Sequence, residues 1–245
     1  MKIVHKKTTK EGIVQITTTD ERWYFREEDE AINPSSSWIS QYVPKGKQFE
    51  TWLKQHGDES DEIKRLAGEK GGRVHNVIAA MICCKMDGKP TDFPIDSQWP
   101  DSEGEIKELS PEEVETVISF CDWWKETEPE PVASEQTCWS EVPAYAGTLD
   151  FKFKKDGVLW LVDFKTSQSI YLSHEVQLAS YAHTPEGSCD KLAILQIGYR
   201  RNKKRFKFTE IEDKFNLFMS AYSFWAEANE NVRPHQYEFP KTLTI

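Results

Sequence analysis

Apolar and polar residues alternate near the start of the chain, over residues 12–19 and again over residues 23–25. Alternation with a period of two is typical of a strand with one buried face, so we predict a short hairpin here. The run Asn33-Pro34-Ser35 then predicts a turn and an N-cap, followed by a short helix through Trp38 and Ile39.

Apolar residues spaced three or four apart predict two helices in the next segment. The first spans about residues 45–56, and the second starts at Asp61. The apolar positions of the second helix are Ile63, Leu66, Val74, Val77, Ile78 and Met81. Gly68, Gly71 and Gly72 lie inside this pattern, and because glycine has a low helical propensity they could break or loosen the helix.

Residues 86–108 are rich in Pro, Asp, Gly and Ser, which predicts a long loop. A helix starts again after it. Ser110 has the position of an N-cap, Pro111 that of the first helical residue and Glu113 that of the third, which is the pattern of a capping box. We expect this helix to continue to about Lys125.

The second half of the chain changes to strand-like patterns after the Glu-Pro-Glu-Pro connector. The predicted strands and helices, in order, are strands at about 133–142, 148–153 and 158–164, a helix at 172–183, strands at 192–198 and 205–208, and a helix capped near Thr209 that ends at about Asn229. Residues 154–157 form the predicted hairpin turn. This order predicts an α/β fold with a mixed sheet flanked by helices.

A length of 245 residues fits one domain. We expect residues 1–60 to form the N-terminal hairpin and helices, residues 61–230 the core with the closing helix, and residues 231–245 a C-terminal tail. No apolar run approaches the roughly 18 to 20 residues that cross a bilayer, and the first residues lack the apolar stretch of a signal peptide. We therefore expect a soluble, cytoplasmic protein with no membrane partner.

The formal net charge of -10 at first disfavours a polyanionic substrate, because lysine and arginine provide most non-specific affinity for DNA. The charges are unevenly distributed, however. Acidic residues concentrate in segments 21–30, 58–62, 101–115 and 126–135, whereas basic residues concentrate in segment 199–207. That basic segment either contacts phosphates or forms a solvated turn or strand pair.

Asp150 and Asp163 are carboxylates placed in apolar strands. Leu149 and Phe151 flank Asp150, and Asp163 ends the apolar run 158–162. A tight hairpin can bring such strands side by side, where two carboxylates repel each other unless a hard divalent cation binds between them. The pair therefore indicates a metal site, although Asp-x-Lys alone also occurs as a surface ion pair at a hairpin end.

Lys165 lies two residues beyond Asp163, so alternation along the strand points both side chains to the same face. A metal held by carboxylates beside an ammonium group suits hydrolysis of a phosphodiester. The ion polarises the phosphate and lowers the pKa of a bound water, while Lys165 orients that water or stabilises charge in the transition state.

Three further residues are candidates for the same site. Gln177 and Tyr181 are four residues apart, so they share one face of the predicted helix, with His174 close to it. That face either holds a phosphate, a water or Lys165 in place, or is an ordinary half-exposed surface. His75 lies in an otherwise apolar helical stretch, where it is either a structural residue or a metal ligand.

Taken in order, His75, the run Gly147-Thr-Leu-Asp150, the run Asp163-Phe-Lys165-Thr166 and the run Gln177-Leu-Ala-Ser-Tyr181 resemble the motif series of the PD-(D/E)XK nuclease superfamily. They are most similar to its RecB-like branch, which includes phage exonucleases and the mitochondrial genome maintenance exonuclease. The resemblance covers about residues 71–181 and is weaker at 33–37. It implies a restriction-endonuclease-like core of helix, three strands, helix and strand (αβββαβ).

The resemblance also implies the roles of individual residues. The implied ligands of Mg2+ or Mn2+ are His75, Asp150, Asp163 and the backbone carbonyl of Phe164. Lys165 is the implied catalytic group, with Gln177 and Tyr181 supporting the site. Candidate phosphate contacts are Arg73, Thr166, Arg200 and Arg201, and Glu141 is a candidate additional acid. Arg73 as a helix-surface arginine and Glu141 as an exposed strand carboxylate are the plainer alternatives.

The function implied is that of a stand-alone DNA exonuclease, from a phage or a bacterium, in recombination, repair or replication. DNA is the expected partner, and a recombination or single-strand-binding protein is a candidate second partner. Five cysteines lack the spacing of a disulfide framework or a zinc site, and only Cys189 follows the motif helix, so we expect reduced thiols and no iron–sulfur cluster. The alternatives are a structure-specific or restriction-like endonuclease and a non-catalytic DNA-binding protein on the same fold.

Overall fold

A computed structural model describes residues 5–18, 21–101, 104–230 and 232. The first four strands form an antiparallel sheet in the order β1-β2-β3-β4. They are β1 (His5–Thr8), β2 (Val14–Thr17), β3 (Arg22–Arg26) and β4 (Ala31–Pro34). The predicted hairpin is therefore the middle of a larger sheet, because β1 and β4 carry too few apolar side chains to show a strand pattern.

Three helices follow the N-terminal sheet. Helix α1 (Ser36–Ile39) is capped by the Ser35 hydroxyl, which accepts a hydrogen bond from the Trp38 backbone N–H, and a 3-10 turn (Ser40–Tyr42) extends it. Helix α2 (Gly46–His56) leads to the long helix α3 (Glu59–Met86). The three glycines do not break α3, since burial of its C-terminal half, including Val74 and Ile78, outweighs their low propensity.

The predicted loop after α3 contains one short hairpin, β5 (Gln98–Pro100) and β6 (Ile106–Glu108). Helix α4 (Pro111–Thr127) then begins at the predicted capping box. The Ser110 side chain accepts a hydrogen bond from the Glu113 backbone N–H, and the Glu113 carboxylate accepts one from the Ser110 N–H at 2.7 Å. This start of a helix was predicted correctly because local groups alone define it.

A mixed five-stranded sheet occupies the middle of the fold, in the order β11-β10-β9-β8-β7. Its strands are β7 (Glu130–Ser140), β8 (Tyr145–Lys155), β9 (Val158–Lys165), β10 (Lys191–Ile197) and β11 (Phe206–Ile211). Strands β9 and β10 are parallel and are connected through helix α5 (Leu172–Ala182), whereas the other neighbours in the sheet are antiparallel. The predicted α/β class with a mixed sheet and flanking helices is confirmed.

Helix α6 (Phe215–Ala228) closes the described fold. The prediction that it is capped near Thr209 is wrong. Thr209 lies inside β11 and is paired with Ile194 of β10, so the strand continues to Ile211 before the helix begins. Threonine is common both in strands and at helix N-caps. Here the pairing with β10 makes Thr209 a strand residue. The predicted tail, residues 231–245, lies outside the described residues except for Val232.

Helices cover both faces of the five-stranded sheet. Side chains of α3 and α4, among them Ile78, Phe120 and Trp123, pack against Phe151 and Phe164 of the sheet. Leu178 and Ala179 of α5 pack with side chains of the opposite face, including Leu149 and Leu161. The site described below lies where α3, α5 and the strand ends meet.

The N-terminal sheet joins the rest of the protein through a separate hydrophobic cluster. Trp23 of β3, Trp38 of α1 and Trp225 of α6 contact one another edge to face, with ring centroids 5.2 to 6.1 Å apart. Val176 of α5 and Phe218 of α6 belong to the same cluster. Among the helices in the described ranges, none has both the length and the apolarity that crossing a membrane requires.

Candidate metal centre

Asp150 lies where the pairing of β8 and β9 ends. The last backbone pair at this end of the two strands joins Phe151 and Val162. One position further, the Asp150 Oδ2 atom accepts a hydrogen bond of 2.7 Å from the Phe164 backbone N–H. The carboxylate thus takes the place of a backbone acceptor, which fixes its position at the strand end.

His75 approaches Asp150 from helix α3. Its Nδ1 atom lies 3.6 Å from the Asp150 Oδ1 atom, and its ring meets the Phe164 ring edge to face at 6.0 Å. Val74 and Ile78, on either side of His75 in the helix, are buried against the sheet. This packing holds the imidazole over the strand ends and beside Asp150. The resemblance described above implies that both residues are metal ligands.

Glu135 completes a group that the sequence pattern did not reveal. It lies in β7 between the pairs Ser134–Phe151 and Gln136–Leu149, and therefore across from Asp150. Its backbone has a left-handed φ of 49°. One ligand atom each of His75, Glu135 and Asp150 lie within 4.8 Å of one another. The register of β7 against β8 would have identified Glu135, but a single sequence does not provide that register.

Asp163 and Lys165 form a close ion pair beside this group. The Lys165 Nζ atom lies 2.5 Å from the Asp163 Oδ2 atom, and only 4% of the Asp163 side chain and 19% of the Lys165 side chain are exposed. Both residues therefore point to the same face of β9, as strand alternation predicts. The positive charge of Lys165 is therefore balanced within the site by the carboxylates of Asp163 and Asp150.

The carboxylates of the site have pKa values that differ in direction. Burial and the neighbouring charge of Asp150 raise the pKa of Asp163 to about 6 and that of Glu135 to about 7. Burial also opposes ionisation of Asp150, but His75, Lys165 and the Phe164 N–H together lower its pKa. The three crowded carboxylates therefore resist ionising together, and a bound cation would relieve that repulsion.

The pKa values of the two basic groups of the site are both raised by the neighbouring carboxylates. Burial alone lowers the pKa of Lys165, but the charges of Asp163 and Asp150 outweigh burial and raise it. Burial likewise lowers the pKa of His75, and its contact with Asp150 raises it overall. On α5, burial and the nearby charge of Lys165 lower the pKa of His174 to about 3, so His174 is neutral beside the site.

Gln177 and Tyr181 contact each other on α5 as the spacing of four residues predicts. The Gln177 side-chain amide donates a hydrogen bond of 2.7 Å to the Tyr181 hydroxyl oxygen. The Tyr181 ring is buried against Gly147 of β8, where a β-carbon would lie 2.2 Å from the ring. Burial is the main cause that raises the pKa of the Tyr181 hydroxyl, and the charges of Asp163 and Asp150 raise it further. The hydroxyl therefore lies within electrostatic range of these two carboxylates.

Arg73 does not lie on the surface, so the interpretation of it as a helix-surface arginine is wrong. Its side chain is 8% exposed, and its Nε atom donates a hydrogen bond of 2.8 Å to Glu113. Its Nη1 atom donates to Asp101 at 3.4 Å. Two buried carboxylates therefore occupy the guanidinium group, which makes Arg73 a structural residue rather than the predicted phosphate contact.

Glu141 does not join the site, which corrects its candidacy as an additional acid. It follows the last residue of β7, 68% of its side chain is exposed, and it forms an ion pair of 2.8 Å with Arg26. Glu135, six residues earlier, has the position near Asp150 that was expected of Glu141. The eight residues between Glu141 and Asp150 include the β7–β8 turn, which places Glu141 away from Asp150.

The basic segment forms the turn between β10 and β11 and the start of β11, and three of its six basic residues are paired with α4. Arg200 contacts Glu112, Lys204 contacts Glu126 at 2.5 Å, and Arg205 contacts Glu115 at 2.6 Å. This pairing favours the solvated-turn interpretation. Arg201 is exposed, and Thr166 is half-buried next to Gly71 on α3. Thr166 follows Lys165 directly and stays a candidate phosphate contact.

No protein-family model matches this chain, and a search of curated proteins finds no similar protein. Whether this group can bind a metal ion is therefore judged from the chemistry of its donor atoms. Ligands at about 2.0 to 2.2 Å from one ion lie at most about 4.4 Å apart, so a group within 4.8 Å needs only a small contraction to bind a cation. One imidazole nitrogen with carboxylate oxygens is a donor set that fits a divalent metal.

Proposed function

We propose that this protein is a metal-dependent deoxyribonuclease of the RecB-like branch of the PD-(D/E)XK superfamily, and an exonuclease rather than an endonuclease. The observation that carries the proposal is the group His75, Glu135 and Asp150 directly beside the pair Asp163 and Lys165. The element order α4-β7-β8-β9-α5-β10 agrees with a restriction-endonuclease-like core. The chain would act on DNA in recombination, repair or replication.

His75, Glu135 and Asp150 would hold the divalent ion, with Asp163 and the Phe164 carbonyl as further donors. The mixed set of imidazole and carboxylates suits Mn2+ as well as Mg2+, because imidazole is a softer ligand than the oxygens that Mg2+ prefers. When bound, the ion polarises the phosphate and makes water a better nucleophile at neutral pH. The charge that it brings would also allow Glu135 and Asp163 to ionise together.

Lys165 is the candidate catalytic residue of the chain itself. Its ammonium group can donate hydrogen bonds to a phosphate oxygen or to the attacking water, where negative charge develops during hydrolysis. Asp163 keeps this group charged and in place through the 2.5 Å contact. The reaction therefore needs Asp163 even where Asp163 does not touch the substrate.

Tyr181 and Gln177 are positioning residues in this proposal. The Gln177 amide donates to the Tyr181 oxygen, so the phenol proton stays free to be donated towards the carboxylates or a phosphate. Packing of the Tyr181 ring on Gly147 sets the distance between α5 and β8. Both residues act by holding the strand ends and α5 in one arrangement.

Digestion of end-labelled linear DNA and closed circular DNA tests the proposal, with Mg2+, Mn2+ or EDTA. We expect metal-dependent loss of linear DNA, sparing of circles, and at least a hundredfold loss of rate in Lys165→Ala, about the effect of removing one group that stabilises transition-state charge. Lys154→Ala, an exposed lysine at the other end of β8, is the matched control. Equal cleavage by wild type and Lys165→Ala would refute the proposal, and cutting of circles would make the enzyme an endonuclease.

A further inference from the structure

A cavity of about 260 Å3 opens beside the metal centre, between the N-terminal sheet and helix α3. Glu135 lines both the cavity and the metal centre, and Thr148, two residues before Asp150, also lines it. Asn76, which follows His75 on α3, forms part of the opposite wall. The cavity is therefore continuous with the candidate active site, although the resemblance to nucleases assigns it no role.

Two lysines stand at this cavity. Lys7 and Lys10 come from β1 and the turn after it, and both lower the pKa of Glu135, against the larger effect of burial. The Lys10 ammonium group donates to the Ser134 carbonyl at 3.2 Å and to the Cys83 sulfur at 2.9 Å, which fixes it at the cavity wall. Two cations thus lie on a side of the metal centre where Lys165 is not present.

The rest of the lining is suited to a small ligand with both polar and flat apolar parts. Ala79 and Ala80 of α3 provide a short apolar wall. Asn76 and Gln15 provide amide groups whose nitrogens each donate one hydrogen bond of 2.8 Å within the protein, to the Pro100 carbonyl and the Tyr24 hydroxyl, so that the amide oxygen and the second N–H of each are left for a ligand. Amides pair with the edges of nucleobases, and small apolar side chains allow a ring to approach closely. At about 260 Å3, the cavity is just below the ~300 Å3 at which ligand pockets usually start, so its size limits the ligand to one nucleotide at most and excludes a duplex.

We propose that this cavity binds one nucleotide of a single DNA strand next to the scissile phosphate, with Lys7 and Lys10 on its phosphate and Asn76 and Gln15 near its base. The proposal rests on the proposed nuclease function. With Lys165 on one side and the two lysines on the other, the strand is gripped on both sides of the metal centre. The N-terminal sheet thereby becomes a substrate-binding element.

Protection of Cys83 from alkylation tests this site without measuring cleavage. Cys83 lines the cavity, whereas Cys121 lines a different cavity between α3 and α4 and serves as the internal reference. The experiment uses the Lys165→Ala protein, so that the DNA stays intact. The protein also carries Cys84→Ser, so that Cys83 is the one thiol that reacts at this pair of neighbouring positions in α3. We expect saturating single-stranded oligonucleotide with Ca2+ to slow alkylation of Cys83 at least fivefold and to leave Cys121 unchanged.

A charge variant gives the second measurement. Lys7→Ala with Lys10→Ala should raise the Kd for the oligonucleotide about tenfold. It should also reduce the slope of log Kd against log salt by about 1.4, or ~0.7 for each single-strand phosphate that a lysine no longer neutralises. Lys125→Ala with Lys154→Ala removes the same charge from exposed positions near the far end of the sheet. This control should change neither quantity.

The outcomes separate the cavity from the nuclease. If wild type cleaves DNA while Cys83 stays unprotected and the Lys7/Lys10 variant binds like the control, the nucleotide site is refuted and the proposed function stands. Protection of Cys83 together with the reduced salt dependence supports the site. If the protein neither cleaves nor binds DNA with Mg2+, Mn2+ or Ca2+, the nuclease proposal fails and the nucleotide site fails with it.

Discussion

The ammonium group of Lys165 lies 2.5 Å from the carboxylate of Asp163, and protein atoms enclose nearly all of both side chains. Each charge is therefore acceptable in the interior chiefly because the other is present. Removal of one partner leaves an uncompensated buried charge, which typically costs about 3 to 5 kcal/mol of stability. The free energy of unfolding should therefore depend on both residues together, and this dependence can be measured without knowing the substrate.

A double-mutant cycle measures that dependence. We expect Asp163→Asn and Lys165→Met each to lower the free energy of unfolding, and the double variant to lose less than the sum, with a coupling of about 1 to 3 kcal/mol. Urea unfolding of the four proteins in EDTA gives the values. A cycle on the exposed pair Lys89 and Asp87 is the control, with a coupling below about 1 kcal/mol. Additive losses at Asp163 and Lys165 would contradict the role of the pair.

Glu135 and Glu141 offer a matched comparison for metal binding. Glu135 lies with His75 and Asp150, whereas Glu141 is exposed and paired with Arg26. We expect Glu135→Gln to weaken Mn2+ binding at least tenfold and to reduce the rise in Tm that Mn2+ causes, since an amide lacks the charge of a carboxylate ligand. Glu141→Gln should behave like wild type. The reverse order of effects would restore Glu141 as the acid of the site.

The raised pKa values of Glu135, about 7, and Asp163, about 6, determine a pH dependence. In EDTA, both groups bind protons more tightly when folded than when unfolded. Their contribution to stability is therefore complete below the unfolded carboxylate pKa and is lost as pH rises through 6 and 7. Mn2+ must displace these protons, so its affinity should increase over the same range.

Thermal unfolding from pH 5 to pH 8 checks both signs. We expect the Tm in EDTA to fall with rising pH, and the increase in Tm caused by Mn2+ to grow. The fall should be smaller in Glu135→Gln, which cannot ionise at that position. A Tm in EDTA that rises through pH 6 to 7 to the same extent in both proteins would show that these carboxylates are not the groups that titrate.

Gly147 and Gly71 provide a steric test of the Tyr181 arrangement. A β-carbon at Gly147 would lie 2.2 Å from the Tyr181 ring, whereas one at Gly71 would lie 3.6 Å from Thr166, an ordinary contact. We expect Gly147→Ala to cost about 1 to 3 kcal/mol of stability and to lower nuclease activity by displacing Tyr181. Gly71→Ala should be neutral or stabilise by up to about 1 kcal/mol, because alanine favours the helix. Tolerance of Gly147→Ala in both measurements would remove Tyr181 from the site.

The sequence was informative where the determining groups are local. The capping box at Ser110 defined the start of α4, and the spacing of Gln177 and Tyr181 placed both on one face of α5. Strand alternation brought Asp163 and Lys165 together. In each case the residues that determine the structure lie within four positions of one another, so the local sequence pattern is enough to predict the contact.

Contacts between strands and between helices could not be predicted from the sequence in this way. Glu135 was missed because its position depends on the register of β7 against β8, and Arg73 was misplaced because its partners, Glu113 and Asp101, come from distant segments. Thr209 was assigned to a helix cap because pairing with β10 leaves no local signal. Long-range contacts decide all three positions.

The contact of Trp23, Trp38 and Trp225 ties the N-terminal sheet, α1 and the closing helix to one point. Indole rings held edge to face at 5.2 to 6.1 Å couple their electronic transitions, so this trio acts as an optical reporter within the protein. Its near-ultraviolet circular dichroism reports on whether the sheet that carries Lys7 and Lys10 is docked. Loss of that signal before the helical signal would reveal a protein whose N-terminal sheet detaches while its helices stay folded.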